Sequence, residues 1–152
     1  MIRQRLGKDL LFFDGGMGTL LQEKGLAPGE LPETWNLTHS EEIYKIHRQY
    51  IEAGSDIILT NTFGANALKF HDDSCSLEEI IKAAVSHVKK AEREALLQTG
   101  DERKIYTALD VGPTGKLLKP MGDLEFETAY EAFKEVVILG EQAGADLIHI
   151  ET

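Results

Sequence analysis

Short apolar runs alternate with longer amphipathic segments along this chain. Four segments each contain a short apolar run followed by a polar residue: DLLFFD, AGSDIILTNT, KIYTALD and AGADLIHIET. Short apolar runs bounded by turn signals are typical of strands that are covered on both faces. The pattern therefore predicts four strands, which close with Asp14, Asn61, Asp110 and Glu151.

Amphipathic segments predict helices between these strands. The longest begins with Ser76 and Glu79 at the spacing of a capping box and ends at Gly100, and two others end at Gly54 and Gly144. Apolar residues at helical period predict the faces that lie against a sheet. These faces are Ile43, Ile46, Tyr50 and Ala53; Ile80, Ile81, Ala84, Val85, Val88, Ala91 and Ala95; and Phe126, Tyr130, Phe133 and Val137, with Leu139 or Gly140 nearby.

The alternation of strands and helices predicts an α/β fold with a parallel sheet and right-handed crossovers. The segments around Ile58 and Ile148 resemble each other, and side-chain alternation puts both residues on the face that meets the helices. The same alternation puts Leu59 and His149 on the opposite face. With 152 residues, the chain has the length of one ordinary domain.

Composition limits the classes of function. No apolar run approaches the roughly 18 residues of a membrane span, and the N-terminal apolar stretch is too short for a signal peptide. A net charge of −10 repels a phosphate backbone, so nucleic acid is excluded as a partner. The single cysteine, Cys75, rules out an internal disulfide, and we expect a soluble cytoplasmic protein that does not bind membranes.

The polar ends of the four predicted strands indicate a ligand site. If the strands are parallel, Asp14, Asn61, Asp110 and Glu151 gather at one edge, where parallel α/β sheets bind ligands. A single acid at a strand end often does no more than begin a loop. Four polar ends on four strands favour a site.

Glycine-rich stretches follow two of these ends: DGGMGT begins at Asp14, and LDVGPTGKLLKPMG continues from Asp110. DGGMGT lacks the third glycine of a dinucleotide fingerprint, since position 21 is leucine, and it lacks the ending of a P-loop. Gly15 and Gly16 either let the backbone approach a ligand or make a tight turn into a helix.

The segment LPETWNLT contains the only tryptophan, Trp35. Two roles for this segment remain equal alternatives: a lid over the strand ends, and packing before the next helix.

The motifs DGGMGTLL, PETWNLTHSEEIYKIHRQYIEAGSDIILTNTFGAN, GPTGKLL and ADLIHIET, in this order, resemble the homocysteine S-methyltransferase family. Within it, the likeness is greatest to the homocysteine-binding module of cobalamin-dependent methionine synthases. The resemblance implies a (β/α)₈ barrel that binds homocysteine and activates its sulfur on zinc. Residues 1–152 would then be the N-terminal half of that barrel, truncated after the fourth strand.

The resemblance also implies the residues that bind the substrate. Asp14 and Glu151 would hold its ammonium group, and two carboxylates around one cation make chemical sense because each favours the charged form. Gly15 and Gly16 would supply backbone contacts. The implied substrate-binding set is Asp14, Gly15, Gly16, Asn61, Thr62, Phe63 and Glu151.

The sequence departs from the family at the metal. The resemblance implies three cysteine thiolates as zinc ligands, and none of those positions exists here; Cys75 lies in KFHDDSCSLEE, which predicts a solvated loop. We therefore assign no catalytic or metal-binding residue and expect this chain alone to be inactive. Cobalamin and methyl-folate are possible cofactors of the parent protein, and the methyl donor stays open.

Two further questions have alternative answers. A barrel typically needs about 250 residues and eight strands, so the open edges predict either a homodimer or a missing C-terminal half. Besides the methyltransferase, the sequence allows a non-catalytic small-molecule binding or assembly module that keeps the amino-acid clamp without the metal. A lyase or aldolase that uses Asp110 or Lys116 ranks last, because no lysine closes a strand.

Overall fold

A computed structural model of the protein describes residues 2–70, 75–100 and 102–152. Its helices and strands are, in chain order, α1 (Met17–Glu23), α2 (Trp35–Thr38), α3 (Ser40–Ala53), β1 (Ile57–Leu59), α4 (Leu77–Thr99), β2 (Tyr106–Val111), α5 (Phe126–Ala143) and β3 (Leu147–Ile150), with 3-10 turns at Ile2–Gln4 and Pro32–Thr34. The strands form a parallel sheet in the order β1-β2-β3. The predicted α/β fold with parallel strands is confirmed. No helix in these three ranges is both long and apolar enough to cross a membrane.

The prediction of four strands is wrong, because the sheet of the described residues has three. Phe13 makes only an isolated parallel bridge with Ile57. The amide of Phe12 donates to the side chain of Asp56 (3.1 Å) instead of to a strand carbonyl, and Gly15 and Gly16 lead into α1 directly afterwards. The segment still lies beside β1, since the amide of Asp14 donates to the carbonyl of Ile57 (3.0 Å).

The predicted helix ends are confirmed. Glu79 donates its amide to Ser76 Oγ (3.2 Å), and Ser76 donates its amide to Glu79 Oε2 (2.9 Å), which completes the capping box. Gly54, Gly100 and Gly144 all adopt the left-handed conformation, with φ of 111°, 67° and 95°. A residue without Cβ takes this conformation without strain, so glycine can end these helices.

The core lies between the sheet and the helices α3, α4 and α5. The predicted face of α4 is confirmed, because each of its seven apolar residues is at most 2% exposed. On α3, Ile43 and Ile46 are buried as predicted, whereas Tyr50 is half-buried and Ala53 is exposed. Ile58 packs among residues of α3 and α4. The alternation of side chains thus placed this residue correctly on the helix side.

The predicted face of α5 is confirmed only in part. Phe126 and Tyr130 are 64% and 51% exposed, whereas Phe133 is half-buried against the core cluster that contains Leu109. The buried residues of the helix are Ala129, Ala132, Val136 and Gly140. The approach to β2 is close at Gly140, where a Cβ would be 2.3 Å from Leu109 Cδ2.

The outer face of β3 is open. Ile148, which was predicted to meet a helix, is 36% exposed, and Ile150 is 81% exposed. No helix of the described chain follows β3 to cover them.

Candidate functional site

A cleft of about 490 Å³ lies at the carboxyl ends of the strands. The four strand-end residues that the sequence singled out, Asp14, Asn61, Asp110 and Glu151, all line it. The other lining residues are Gly15, Gly16, Met17, Gly18, Pro32, Glu33, Leu59, Thr60 and Phe63. The lining thus contains four carboxyl groups and no lysine, arginine or histidine, which favours a cationic ligand.

Asp14 lines the cleft and is fixed there by a backbone hydrogen bond. Its Oδ2 accepts a hydrogen bond from the amide of Leu59 (3.1 Å), whereas its buried Oδ1 has no hydrogen-bond partner in the described chain. Burial raises the pKa of Asp14 to about 7; the charges of Asp110 and Glu151 act in the same direction, and backbone hydrogen bonds oppose it. The group thus titrates near neutral pH and has one oxygen available to a ligand.

Asp110 and Glu151 lie at the ends of the neighbouring strands β2 and β3. Asp110 is 5% exposed, pairs in register with His149, and has its Oδ1 3.4 Å from His149 Nδ1. Burial raises the pKa of Asp110 to about 6, the hydrogen bond with His149 opposes this, and the charge of Glu151 raises it further. Glu151 is exposed and reaches the cleft from its rim.

Gly15 and Gly16 follow Asp14 along the wall of the cleft. A Cβ at Gly15 would be 2.8 Å from the hydroxyl oxygen of Tyr50, and that hydroxyl donates to the carbonyl of Gly16 (3.1 Å). The absence of a side chain at Gly15 therefore lets Tyr50 pack against this turn. Both residues also line the cleft; the turn into α1 is therefore observed, and a backbone contact with a ligand stays a prediction.

The segment after β1 contributes two of its three predicted site residues. Asn61 and Phe63 line the cleft, and Asn61 Nδ2 donates to the carbonyl of Pro32 (2.8 Å). Thr62 does not line it. Its side chain is fully buried and donates to the carbonyl of Asp110 (2.7 Å). Thr62 therefore supports the strand end from behind.

The stretch around Trp35 packs before the next helix as one of the two alternatives predicted, and its role as a lid stays a prediction. Trp35 is 3% exposed and belongs to a core cluster with Leu21 and Ile43, as packing before the next helix requires. Pro32 and Glu33, just before it, line the cleft. Glu33 was not among the predicted site residues, because this stretch has no strand or helix period that would reveal a buried acid.

The described residues do not supply the zinc site that the family resemblance implies. Cys75, predicted to lie in a solvated loop, is half-buried and packs against the core cluster that contains Ile80 and Val136, and it does not line the cleft. Residues 71–74 of that predicted loop lie outside the described residues. Asp110, His149 and Glu151 offer ligand atoms within 4.8 Å of one another. This oxygen and nitrogen set can accept a cation, but it contains no thiolate.

Comparison with known proteins gives one consistent result. The family model for homocysteine S-methyltransferase matches residues 11–152. Methionine synthase from Mycobacterium leprae (strain TN) is 30% identical over 155 aligned residues, which cover 98% of this chain and 13% of that protein.

Solved structures support the fold. The homocysteine methyltransferase MmuM from Escherichia coli superposes with a TM-score of 0.84 in its metallated form and 0.80 in its oxidized form, at 22% and 23% identity. The alignments cover 99% and 97% of this chain, and 56% and 55% of the solved chains. The protein therefore spans about half the length of these structures and a much smaller share of the methionine synthase.

Proposed function

The chain belongs to the homocysteine S-methyltransferase family, and on this premise we propose that its cleft binds the amino-acid end of homocysteine. The protein would form the N-terminal half of a (β/α)₈ barrel that transfers a methyl group to the sulfur of this substrate. One observation carries the proposal: Asp14 and Glu151, from opposite ends of the sequence, line the same cleft, whose lining has no basic side chain.

The proposed clamp works through charge and position. The ammonium group of homocysteine donates to the unpaired Oδ1 of Asp14 and to the carboxylate of Glu151. Its positive charge offsets the mutual repulsion of the acids, and hydrogen bonds between charged groups are stronger than neutral ones. Gly15 and Gly16 offer backbone contacts, while Asn61 and Phe63 bound the cleft on the β1 side. Thr62 contributes by holding the end of β2.

This chain orients the substrate but does not activate its sulfur. Methyl transfer to homocysteine needs a thiolate nucleophile, and zinc bound by thiolates would supply that chemistry in a complete family barrel. The single cysteine lies outside the cleft, so we assign no step of sulfur activation to these residues. We expect no methyl transfer by the 152-residue protein, and methionine formation by the zinc-free protein would contradict this.

The same observation favours a second candidate, a non-catalytic small-molecule binding or assembly module that keeps the amino-acid clamp. Both candidates predict ligand binding, and only a complete barrel would turn the ligand over. The methyl donor, and with it a role for cobalamin or methyl-folate, depends on parts of a longer protein. The cytoplasmic location is likewise a proposal.

Exposed apolar surfaces at the two edges of the sheet indicate that another protein segment covers them. Phe13, at one side of the sheet, is 45% exposed, and Ile150, at the other, is 81% exposed. Exposed apolar edges next to strands invite pairing with another chain. We propose that either a second copy of this chain or the C-terminal half of a barrel covers them.

Titration calorimetry with L-homocysteine tests the proposed clamp. We expect binding by the wild-type protein and a loss of about tenfold or more in Glu151→Gln, because one charged hydrogen bond contributes about 1.5–3 kcal/mol. The matched control is Glu135→Gln, which removes the same charge from an exposed position on α5. No binding heat at millimolar ligand, or equal affinity in both variants, would refute the clamp.

A further inference from the structure

We propose that Glu33 is a third carboxylate that binds the substrate's ammonium group, together with Asp14 and Glu151. This inference rests on the proposed function, since it concerns the same cleft and the same ligand. It assigns a specific role to the stretch LPETWNLT, which contributes to the cleft wall. Glu33 lies in one of the motifs that carry the family resemblance, but it is not among the substrate-binding residues that the resemblance implies.

The environment of Glu33 leaves one oxygen without a partner. The residue is 3% exposed, and its Oε1 accepts a hydrogen bond from the amide of Gly64 (2.5 Å). Its buried Oε2 has no hydrogen-bond partner in the described parts of the chain. A buried polar atom without a hydrogen bond is destabilising, and more so when it is charged. Since Glu33 lines the cleft, a ligand can supply the missing donor.

The charges around Glu33 indicate which kind of ligand group can donate to its unpaired oxygen. Its neighbours on the cleft wall include Asp14, Asp110 and Glu151, and the lining has no basic side chain. Lys69 comes near Gly64, since its Nζ would be 3.2 Å from a Cβ placed there. It forms no ion pair with Glu33 among those found in the described residues. A cationic ligand group therefore suits this oxygen better than a neutral one.

The number of donors matches the number of acceptors. A primary ammonium carries three N–H donors. The proposed clamp uses two of them, on Asp14 and Glu151, and the third would point into the cleft without a protein partner. The unpaired Oε2 of Glu33 completes the set, so that each donor of the ammonium meets one carboxylate.

The backbone around Glu33 fixes its position before a ligand binds. The residue sits in the 3-10 turn Pro32–Thr34, whose first carbonyl accepts from Asn61 Nδ2 (2.8 Å). Trp35, the residue that follows this turn, is anchored in the core. A preorganised carboxylate loses little freedom on binding and therefore contributes more affinity.

A structural role is the competing explanation, because Glu33 also caps the amide of Gly64. Glu33→Gln separates the two roles, since a glutamine keeps an acceptor for this amide and nearly the same shape while it loses the charge. Calorimetry would compare L-homocysteine with 4-mercaptobutyrate, which lacks the ammonium group. The control is again Glu135→Gln.

We expect Glu33→Gln to bind L-homocysteine about tenfold more weakly than the wild type, as the loss of one charged hydrogen bond predicts. Its affinity for 4-mercaptobutyrate should stay within about twofold of the wild-type value, because this ligand has no donor for Oε2. Unchanged homocysteine affinity, or an equal loss for both ligands, would overturn the inference. If the wild type binds homocysteine and only Glu151→Gln weakens this binding, the clamp of Asp14 and Glu151 is supported and the proposed role of Glu33 is refuted.

A measurement on the wild-type protein covers the case in which Glu33→Gln does not fold or 4-mercaptobutyrate binds too weakly to measure. The side-chain carboxyl ¹³C resonance of Glu33, assigned through its backbone, should shift on saturation with L-homocysteine. That of Glu135 should stay in place. An unmoved Glu33 resonance in the saturated protein would overturn the inference.

Discussion

The substitution Asp14→Asn should stabilise the ligand-free protein at neutral pH although it damages the proposed site. An asparagine keeps an acceptor for the amide of Leu59, which donates to Oδ2 of the wild-type carboxylate (3.1 Å). It removes a charge that the folded protein accommodates poorly. We therefore expect the variant to be more stable than the wild type and to bind the ligand more weakly.

The magnitude follows from the pKa of Asp14, which burial raises from 3.8 to about 7 in the folded protein. A shift of about three pKa units corresponds to about 4 kcal/mol. Solvent screening lowers the expected value to about 2 kcal/mol, because the side chain is only partly buried. The folded state binds the proton more tightly than the unfolded state, so this destabilisation grows as pH rises from about 4 to 7 and is complete above 7.

Urea unfolding at two pH values measures this effect. Trp35 is the only tryptophan and is 3% exposed, so its fluorescence reports the loss of the core. Relative to the wild type, Asp14→Asn should gain about 2 kcal/mol in unfolding free energy between about pH 4.5 and pH 8. Asp110 titrates in both proteins, so most of its contribution cancels. An equal difference at both pH values, or a variant that loses stability as pH rises, would refute the reasoning.

Three further predictions concern packing, capping and assembly. Gly140→Ala should cost about 1–3 kcal/mol of unfolding free energy, because the new Cβ would lie 2.3 Å from Leu109 Cδ2; a neutral result in urea unfolding would contradict the close approach of α5. Ser76→Ala should cost about 1 kcal/mol by the same assay, since it removes the capping box of α4, and an unchanged midpoint would show that the cap contributes nothing. Light scattering on the 152-residue protein should show self-association that weakens when Ile150 is changed to Lys, and a monodisperse monomer would exclude the second copy as the covering partner.

Local signals predicted much of this fold because their physics is local. A capping box and a left-handed glycine act within one turn of helix, so Ser76, Gly54 and Gly144 could be placed from the sequence alone. The convergence of Asp14 and Glu151 required only parallel strands. The alternation of β and α elements supplied that condition.

The errors arose where long-range packing decides. The large apolar residues of α5, such as Phe126, fit a helical period, yet the small face around Gly140 meets the sheet because only small residues allow the required approach. Glu33 is buried, and its side chain accepts a hydrogen bond from the amide of Gly64, a residue distant in the sequence. The chain turns into α1 directly after Asp14, so the first predicted strand forms only the isolated bridge of Phe13 with Ile57. No periodicity encodes these features.

The location of the substrate's ammonium group is the central claim, and a crystal structure of the protein with bound L-homocysteine tests it most directly. We expect the ammonium nitrogen to lie within hydrogen-bond distance of both Asp14 and Glu151, in the cleft at the carboxyl ends of the strands. A homocysteine bound outside this cleft, or with its ammonium group turned away from either carboxylate, would contradict it.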